Sequence, residues 1–254
     1  MNKNDILNSP IILQAPLTKA TCYRSLFFLE VNELGLSFEC QPGPQIISLP
    51  EQWCGLLLLD KYGFSIKSGQ ARCHPVNPLV LSKLLVFADA SHDTEVEPEN
   101  EPILETITML EHPQALLTQR SAEYWFIDMI MNDTENFNKL ANLLRRTEHY
   151  WLVRFLLNKS ASGDNLHALG QHYGVSDSHF RRLCKQALGH STKTELRLWR
   201  VARALLETTD RENNFTEIAV RHGYASSSHF SNDVKELLGI SPRALSDILR
   251  LVKK

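Results

Sequence analysis

Two arginines stand side by side at positions 181 and 182 in the stretch SDSHFRRLCKQALGHS, residues 176–191, with Ser178 before them and Lys185 after. A guanidinium is the side chain that best matches the edge of guanine. It meets O6 and N7 together, which separates the right base from the wrong one by about 1 to 3 kcal/mol per good pair. A lysine ammonium is a compact point charge and suits phosphate better. Fifty residues further on, SSSHFSNDVKELLGIS at 226–241 repeats the stretch with eight of sixteen positions identical. The identical positions are Ser176/Ser226, Ser178/Ser228, His179/His229, Phe180/Phe230, Lys185/Lys235, Leu188/Leu238, Gly189/Gly239 and Ser191/Ser241. Self-similarity at a fixed offset points to a duplicated supersecondary unit.

The apolar residues of each copy fall on one helical stripe: Phe180, Leu183, Cys184 and Leu188 in the first, Phe230, Val234, Leu237 and Leu238 in the second. The glycine that follows, Gly189 or Gly239, predicts a helix stop. Asp177, Ser178, Arg181, Arg182 and Lys185 then lie on the open face of the first helix, and Ser227, Ser228, Ser231, Asn232 and Lys235 on that of the second. A shorter helical segment precedes each copy: NLHALGQHYGV, with Leu166, Leu169 and Gly170 at helical spacing, and FTEIAVRHGYA, with Phe215, Ile218, Ala219 and Gly223. Asn165 predicts the N-cap of the first, and Asn214 or Thr216 that of the second. Helix, short glycine-containing turn and helix with a polar outer face is the helix-turn-helix, whose second helix enters the DNA major groove. The units are 165–188 and 215–238. Between them, 193–210 carries Leu198, Ala202, Leu205 and Leu206 on a predicted stripe and contains no Gly or Pro. About fourteen residues of helix span roughly 21 Å, a rod able to hold two reading helices in successive major grooves about 34 Å apart.

The copies are not equivalent. Where the first presents Arg181 and Arg182, the second presents Ser231 and Asn232, followed by Asp233, a carboxylate that phosphates would repel if it faced DNA. Gly170 to Phe180 spans ten residues and Ala219 to Phe230 eleven, so the second turn has one residue more. The first unit is therefore expected to read bases and the second to position. His179 and His229, held in separate units, are expected to pack beside their phenylalanines and not to share a metal.

The rest of the chain is of a different kind. Residues 11–75 hold short apolar runs broken by Pro and Gly, including PIILQAP, CYRSLFFLEV, LGLSFEC, PGPQIISLP, GLLLL and YGFSIKSG, which predict short strands in a small sheet or barrel. From about 78 the pattern turns helical, through PLVLSKLLVFADA, ILETITMLEHPQALLTQ, SAEYWFIDMIM and one long helix in ENFNKLANLLRRTEHYWLVRFLLNKS. The aromatic set Tyr124, Trp125, Phe126, Tyr150, Trp151 and Phe155 is expected in the core. DASHDTEVEPENEPILE, 89–105, carries seven acids and no Lys or Arg and predicts a solvated loop. NKSASGDN, 158–165, has a linker's composition, dividing the chain into 1–159, a regulatory or partner-binding region of strands then helices, and 160–254, an all-α domain. Overall the fold is mainly α with a β-containing N-terminal part.

The formal net charge of −2 conceals an asymmetry: −6 over 1–159 against +4 over 160–254. The positive excess sits with the repeat, as a polyanion partner would require. Five cysteines, odd in number and without CxxC, fit free thiols in a reducing compartment. No signal peptide or membrane span is predicted, so the expected location is the cytoplasm. No GxSxG, HExxH, Walker loop or GxGxxG fingerprint occurs, and neither enzymatic activity nor a cofactor or metal is expected.

Residues 166–245, with RVARALL in the linker and FTEIAVRHGYASSSHFSNDVKELLGISPRAL after it, resemble the AraC-type transcription activators. More narrowly, AEYWF, EHYWLV, YGVSDSHFRRLC and GYASSSHFS resemble the InvF and MxiE-like regulators of type III secretion and invasion genes. The resemblance implies a sequence-specific activator acting on double-stranded promoter DNA with RNA polymerase. It implies base reading at Ser178, Arg181 and Arg182, and a tetratricopeptide-type secretion chaperone as coactivator. A homodimer is open, with 135–158 as a candidate seam. The competing expectations are a small-molecule-responsive regulator, whose β-rich N-terminal region encloses a ligand, and a purely protein-binding adaptor.

Overall fold

The computed structural model describes residues 6–43, 45–92, 95–97, 100–111, 114–132, 134–162, 164–189, 191–207, 215–245 and 247. The chain forms two compact units, Met1–Trp151 and Leu152–Lys254. Among the described residues no helix is long and apolar enough to cross a membrane.

The first unit is built on a seven-stranded antiparallel sheet. Its strands are β1 (Ile11–Gln14), β2 (Leu17–Cys22), β3 (Ser25–Gln41), β4 (Gln45–Leu49), β5 (Cys54–Asp60), β6 (Tyr62–Pro75) and β7 (Ile103–Thr108), in the order β1-β6-β3-β5-β7, with β2 added to β6 and β4 to β3. The apolar run CGLLLLD becomes β5, buried along nearly its whole length, as a central strand with both faces covered requires. The two runs expected as separate strands, CYRSLFFLEV and LGLSFEC, are one 17-residue strand, β3, whose pairing with β6 shifts register between Val31 and Leu36. Phe38 and Phe64 meet across that pair at 5.6 Å in a core that includes Cys40, Leu57 and Leu59.

Helices α1 (Leu79–Ser91), α2 (Gln119–Asn132) and α3 (Thr134–Arg145) follow, and α4 (Glu148–Lys159) contains the division between the units. Two expectations are corrected here. ILETIT, expected to be helical, is strand β7, with Ile103 and Ile107 buried at period four and the intervening residues more open. A sheet edge on β5 was available to it, and a β-branched alternating segment fits that edge better than a helix. The single long helix expected over 135–158 is two helices, broken at Arg146 and Thr147. Thr147 Oγ1 donates to the Leu144 carbonyl at 2.7 Å and accepts from the Tyr150 amide at 3.3 Å, ending one helix and capping the next. Arg146 turns inward and meets Asp60 at 3.0 Å, both side chains nearly fully buried.

The acidic stretch is also divided. Asp89, at its start, is the last buried residue of α1. It accepts from Arg145 Nε at 3.0 Å and Nη2 at 2.6 Å, and from the Tyr150 hydroxyl at 2.6 Å. This carboxylate is a structural anchor and not part of a solvated loop. The aromatic set splits likewise: Phe126 and Tyr150 are fully buried, Trp125, Trp151 and Phe155 half-buried, and Tyr124 is 60% exposed. With Leu117, Ile127 and Met131, also exposed, Tyr124 forms an apolar row on α2 and the turn before it.

Removing one member of a buried charged network strands the other, at a cost of about 3 to 5 kcal/mol. Asp89→Ala is expected to lower the stability of the first unit by that order, measured by denaturant unfolding of the intact chain. Tyr150→Phe, which removes the hydroxyl that donates to the Asp89 carboxylate, should cost about 1.5 to 3 kcal/mol.

Candidate nucleic-acid interface

The second unit carries α5 (Leu166–Tyr173), α6 (Asp177–Leu188), α7 (Thr192–Glu207), α8 (Phe215–Arg221) and α9 (Ser227–Leu238). Two helix pairs, α5/α6 and α8/α9, flank α7, which packs against α6, α8 and α9. Asn165 caps α5 by accepting from the Ala168 amide at 2.9 Å, as its residue type predicts. Ser226 caps α9 through the His229 amide at 3.1 Å. Gly189 and Gly239 close α6 and α9 in the left-handed conformation. Asn214, a candidate cap of α8, lies outside the described residues.

Each outer helix is fixed by one fully buried ring. Phe180 stands against Tyr173 at 5.8 Å and Phe155 at 6.4 Å, and those two rings meet at 5.1 Å. Gly170 lets α5 approach closely, because a Cβ there would sit 3.3 Å from the Phe180 side chain. In the second pair Phe230 packs on Tyr224 at 5.2 Å, within a cluster of Val201, Ala204, Leu205, Ile218, Ala219 and Val234. Tyr224 lies in the turn that has the extra residue, so the additional position supplies the ring that Tyr173 supplies from a helix end in the first pair. Gly223 just before it, at φ +73°, admits no side chain, since a Cβ would lie 2.5 Å from the Ala161 carbonyl oxygen.

With Phe180, Leu183, Cys184, Ala187 and Leu188 buried, α6 turns Ser178, Arg181, Arg182 and Lys185 to solvent. Asp177 is half-buried and holds Arg181 through Nε at 2.9 Å. Among the described residues the side chains of Arg182 and Lys185 have no hydrogen bond or ion pair. On α9, Ser228, Asn232 and Lys235 are exposed and Ser227 and Ser231 half-buried. Ser227, Ser231, Asn232 and Lys235 line one recess of about 600 Å³, together with Thr216, Pro242, Arg243 and Asp247. Arg243 was not among the residues singled out from sequence, and Thr216 was named only as a candidate helix cap. The signal for Arg243 was its place directly after Ser-Pro, where a new helical turn begins.

The structure places Asp233, and two further expectations are corrected. Asp233 faces inward: it is 8% exposed and ion-paired with Arg197 of α7 at 2.8 Å. Arg197 also meets Glu236 at 3.0 Å, so one guanidinium ties α9 to α7 through two carboxylates. The stripe of α7 is rotated from the expected one. Leu196, Trp199, Val201, Ala204 and Leu205 are buried, whereas Leu198, Ala202 and Leu206 are exposed, because contact with helices on more than one side selects a broader face than a single stripe. Leu238, expected in the α9 stripe, is 41% exposed, at the helix end where the ring-anchored core has already passed. Of the paired histidines, His179 is half-buried, while His229 is exposed with its ring edge-on to Tyr224 at 5.3 Å.

The arginines of α7 are used internally, while Lys193 at its start is exposed. Besides Arg197, Arg200 donates to the Ser160 carbonyl at 3.0 Å and stands over the Tyr224 ring at 5.6 Å, and Arg203 donates to the Leu157 carbonyl at 3.0 Å. The charge open to a polyanion is therefore carried by Arg181, Arg182, Lys185, Lys235 and their exposed neighbours. Among the described residues no three His, Cys, Asp or Glu side chains gather as a metal site.

The helix-turn-helix domain family matches residues 169–247. Invasion protein InvF of Salmonella typhimurium is 44% identical over 189 residues, which are 74% of this chain and 86% of that protein. The transcriptional regulator MxiE of Shigella flexneri is 47% identical over 89 residues, 35% of this chain and 42% of that one. Among solved structures, the C-terminal domain of AraT, a response regulator from Geobacillus stearothermophilus, is similar at 27% identity with a TM-score of 0.37, over 39% of this chain and 84% of that chain.

Burial, then the charge of Asp233, pushes the Tyr224 phenol up to about 12 from the ordinary 10. The unfolded chain ionises there near pH 10 while the folded unit resists, so the tyrosine's contribution is whole below 10 and lost as pH rises toward 12. Tyr224→Phe is expected to match the parent at neutral pH and to lose less stability than the parent between pH 10 and 12, read from denaturant midpoints.

Proposed function

This chain belongs to the AraC-type transcription regulators, in the group of InvF, and we propose that it is a sequence-specific DNA-binding activator of type III secretion and other virulence genes. It works in the cytoplasm without enzymatic activity, through two helix-turn-helix units joined by the helix α7, with α6 and α9 as recognition helices. The observation that carries this reading is the exposed row Ser178, Arg181, Arg182 and Lys185 on a helix whose opposite side is locked by Phe180.

The roles follow from the partners each side chain already has. Arg182 is open and reads guanine bidentately. Arg181 is steered by Asp177, which makes Asp177 a positioning residue with no base of its own to contact. Lys185 at the end of α6 meets phosphate. On α9, Ser227, Ser228, Ser231 and Asn232 supply hydroxyl and amide groups and Lys235 a phosphate contact, a set that aligns the duplex more than it discriminates bases. Arg197 fixes the second reader on α7 and so sets the separation of the two half-sites.

In this reading the N-terminal unit receives a secretion chaperone of the tetratricopeptide type, and the complex engages RNA polymerase. The resemblance to the InvF group supports the chaperone, and so does the exposed row Leu117, Tyr124, Ile127 and Met131, a surface that a protein partner would cover.

Arg182→Ala is expected to reduce the preference for the promoter over unrelated DNA by about 1 to 3 kcal/mol, enough to erase its footprint at a protein concentration that protects the site with the parent, and to leave the fold and salt-dependent nonspecific binding in place. Footprints indistinguishable from those of the parent would remove Arg182 from the reading set. Co-purification of the full chain with a helical-repeat secretion chaperone, and promoter activation that requires both, is expected. Activation by the chain alone, with a metabolite stabilising the N-terminal unit, would favour the small-molecule-responsive regulator instead.

A further inference from the structure

The second head is poor in charge. Where α6 exposes Arg181, Arg182 and Lys185, α9 exposes Lys235 alone as a cation beside its serines and Asn232. The recess that these residues line extends beyond α9 to a second cation, Arg243. Three contacts make Arg243 a well-placed group and not a loose surface residue. Pro242 beside it is buried, and Leu245 packs against the core cluster around Phe230. Ser241 caps the turn, its Oγ accepting from the Ala244 amide at 3.2 Å and its carbonyl from the Leu245 amide at 3.1 Å. The Arg243 side chain is exposed, and among the described residues it has no hydrogen bond or ion pair. One acid, Asp247, also lines the recess, against the two cations Lys235 and Arg243.

We infer that Arg243 is a DNA-backbone contact that anchors the second reading head, gripping a phosphate at the edge of the groove into which α9 presents Ser231 and Asn232. Arg243 comes from a different element than the reading helix and lies to its side. An arginine in that position meets the sugar-phosphate wall of the groove, while the helix itself meets the base edges. Because guanidinium and phosphate pair through two parallel hydrogen bonds, the contact fixes orientation as well as adding attraction. The second head thereby gains a cation without placing an arginine where it would compete for bases. The inference rests on the DNA-binding reading above.

The test uses the intact chain, a duplex selected by the parent chain from random sequence, and an unrelated duplex of equal length, with affinity measured across a salt series. Each phosphate neutralised contributes about 0.9 to the slope of log affinity against log salt. Arg243→Gln is expected to make the slope shallower by about 0.9, to weaken both duplexes by the same factor, and to leave the preference between them unchanged. Arg243→Lys should restore the slope, which a merely structural role for the residue would not allow, and Arg243→Glu should weaken binding further than Gln. A parent slope retained by Arg243→Gln overturns the inference while leaving the DNA-binding reading intact. A change in preference with no change in slope overturns it in favour of base contact. Failure of the parent itself to bind either duplex overturns the DNA-binding reading.

Discussion

A helix can offer one face to a ligand only if the opposite face is immobilised, and in the second unit that constraint is met by a single aromatic ring per outer helix. Phe180 and Phe230 are fully buried. A ring of that size, held on several sides, fixes the rotation of its helix about its own axis, and the rotation decides which residues face outward. A turn of one residue, about 100°, would bring Leu183 or Asp233 to the surface and bury an arginine. The two pairs reach the same end differently. In the first, Gly170 lets the helices close onto Phe180, and Tyr173 and Phe155 complete the cage. In the second, Ala219 replaces the glycine, and Tyr224 from the longer turn fills the additional space. The extra residue in the second turn is thus a packing solution.

Charge is disposed by the same logic. A count of formal charges assigns +4 to 160–254, yet the arginines of α7 do not contribute to an outer field in proportion to their number. Arg197 is neutralised by Asp233 and Glu236, and Arg200 and Arg203 are spent on backbone carbonyls at the end of α4 and just after it. Arg197 holds the Glu236 carboxyl below its ordinary range by direct hydrogen bonding. The acids of α9 are therefore the complement of α7's cations. With Asp233 turned inward, the carboxylate that seemed out of place on a reading helix explains how that helix is held, and Ser227, Ser228, Ser231, Asn232 and Lys235 are left to solvent beside the exposed Glu236 that Arg197 holds.

How far the sequence reveals this depends on the range of the forces involved. The helices of the second region, the Asn165 cap, the helix-ending Gly189 and Gly239 and the buried Phe180 and Phe230 were legible, because apolar periodicity and capping are local and recur at fixed spacing. The outward residues of α6 and α9 followed from the same stripe, and their solvent exposure or partial exposure agrees with it. What was not legible depended on distant partners. The pairing of Asp233 with Arg197, and of Asp89 with Arg145 and Tyr150, joins residues far apart in the chain, and nothing in the flanking sequence announces it. ILETIT carried a β-branched alternation, but only the open edge of β5 made it a strand. The break between α3 and α4 contains neither Gly nor Pro. It follows from the preference of Thr147 for capping and of Arg146 for the buried Asp60, the second of which is again a tertiary fact. The α7 stripe failed for a related reason, since a helix enclosed by several others has no single polar side from which its apolar one can be inferred.

The asymmetry of the two heads then has a physical sense. Under the proposed reading, affinity from counterion release scales with the phosphates neutralised, and discrimination scales with bidentate base contacts. Concentrating both in α6 makes one half-site dominate recognition. A second head of equal strength on a rigid connection would demand two perfect half-sites at one separation, since any mismatch would leave a desolvated guanidinium without its partner. Hydroxyls and an amide are more tolerant: they exchange donors and acceptors among bases, phosphates and water. A head of that kind, fixed in position by Arg197 and gripping the backbone beside it, contributes register and orientation at many sequences. In that reading the first head selects the site and the second sets the direction in which the protein lies on it, as an activator that must act on one side of its site requires.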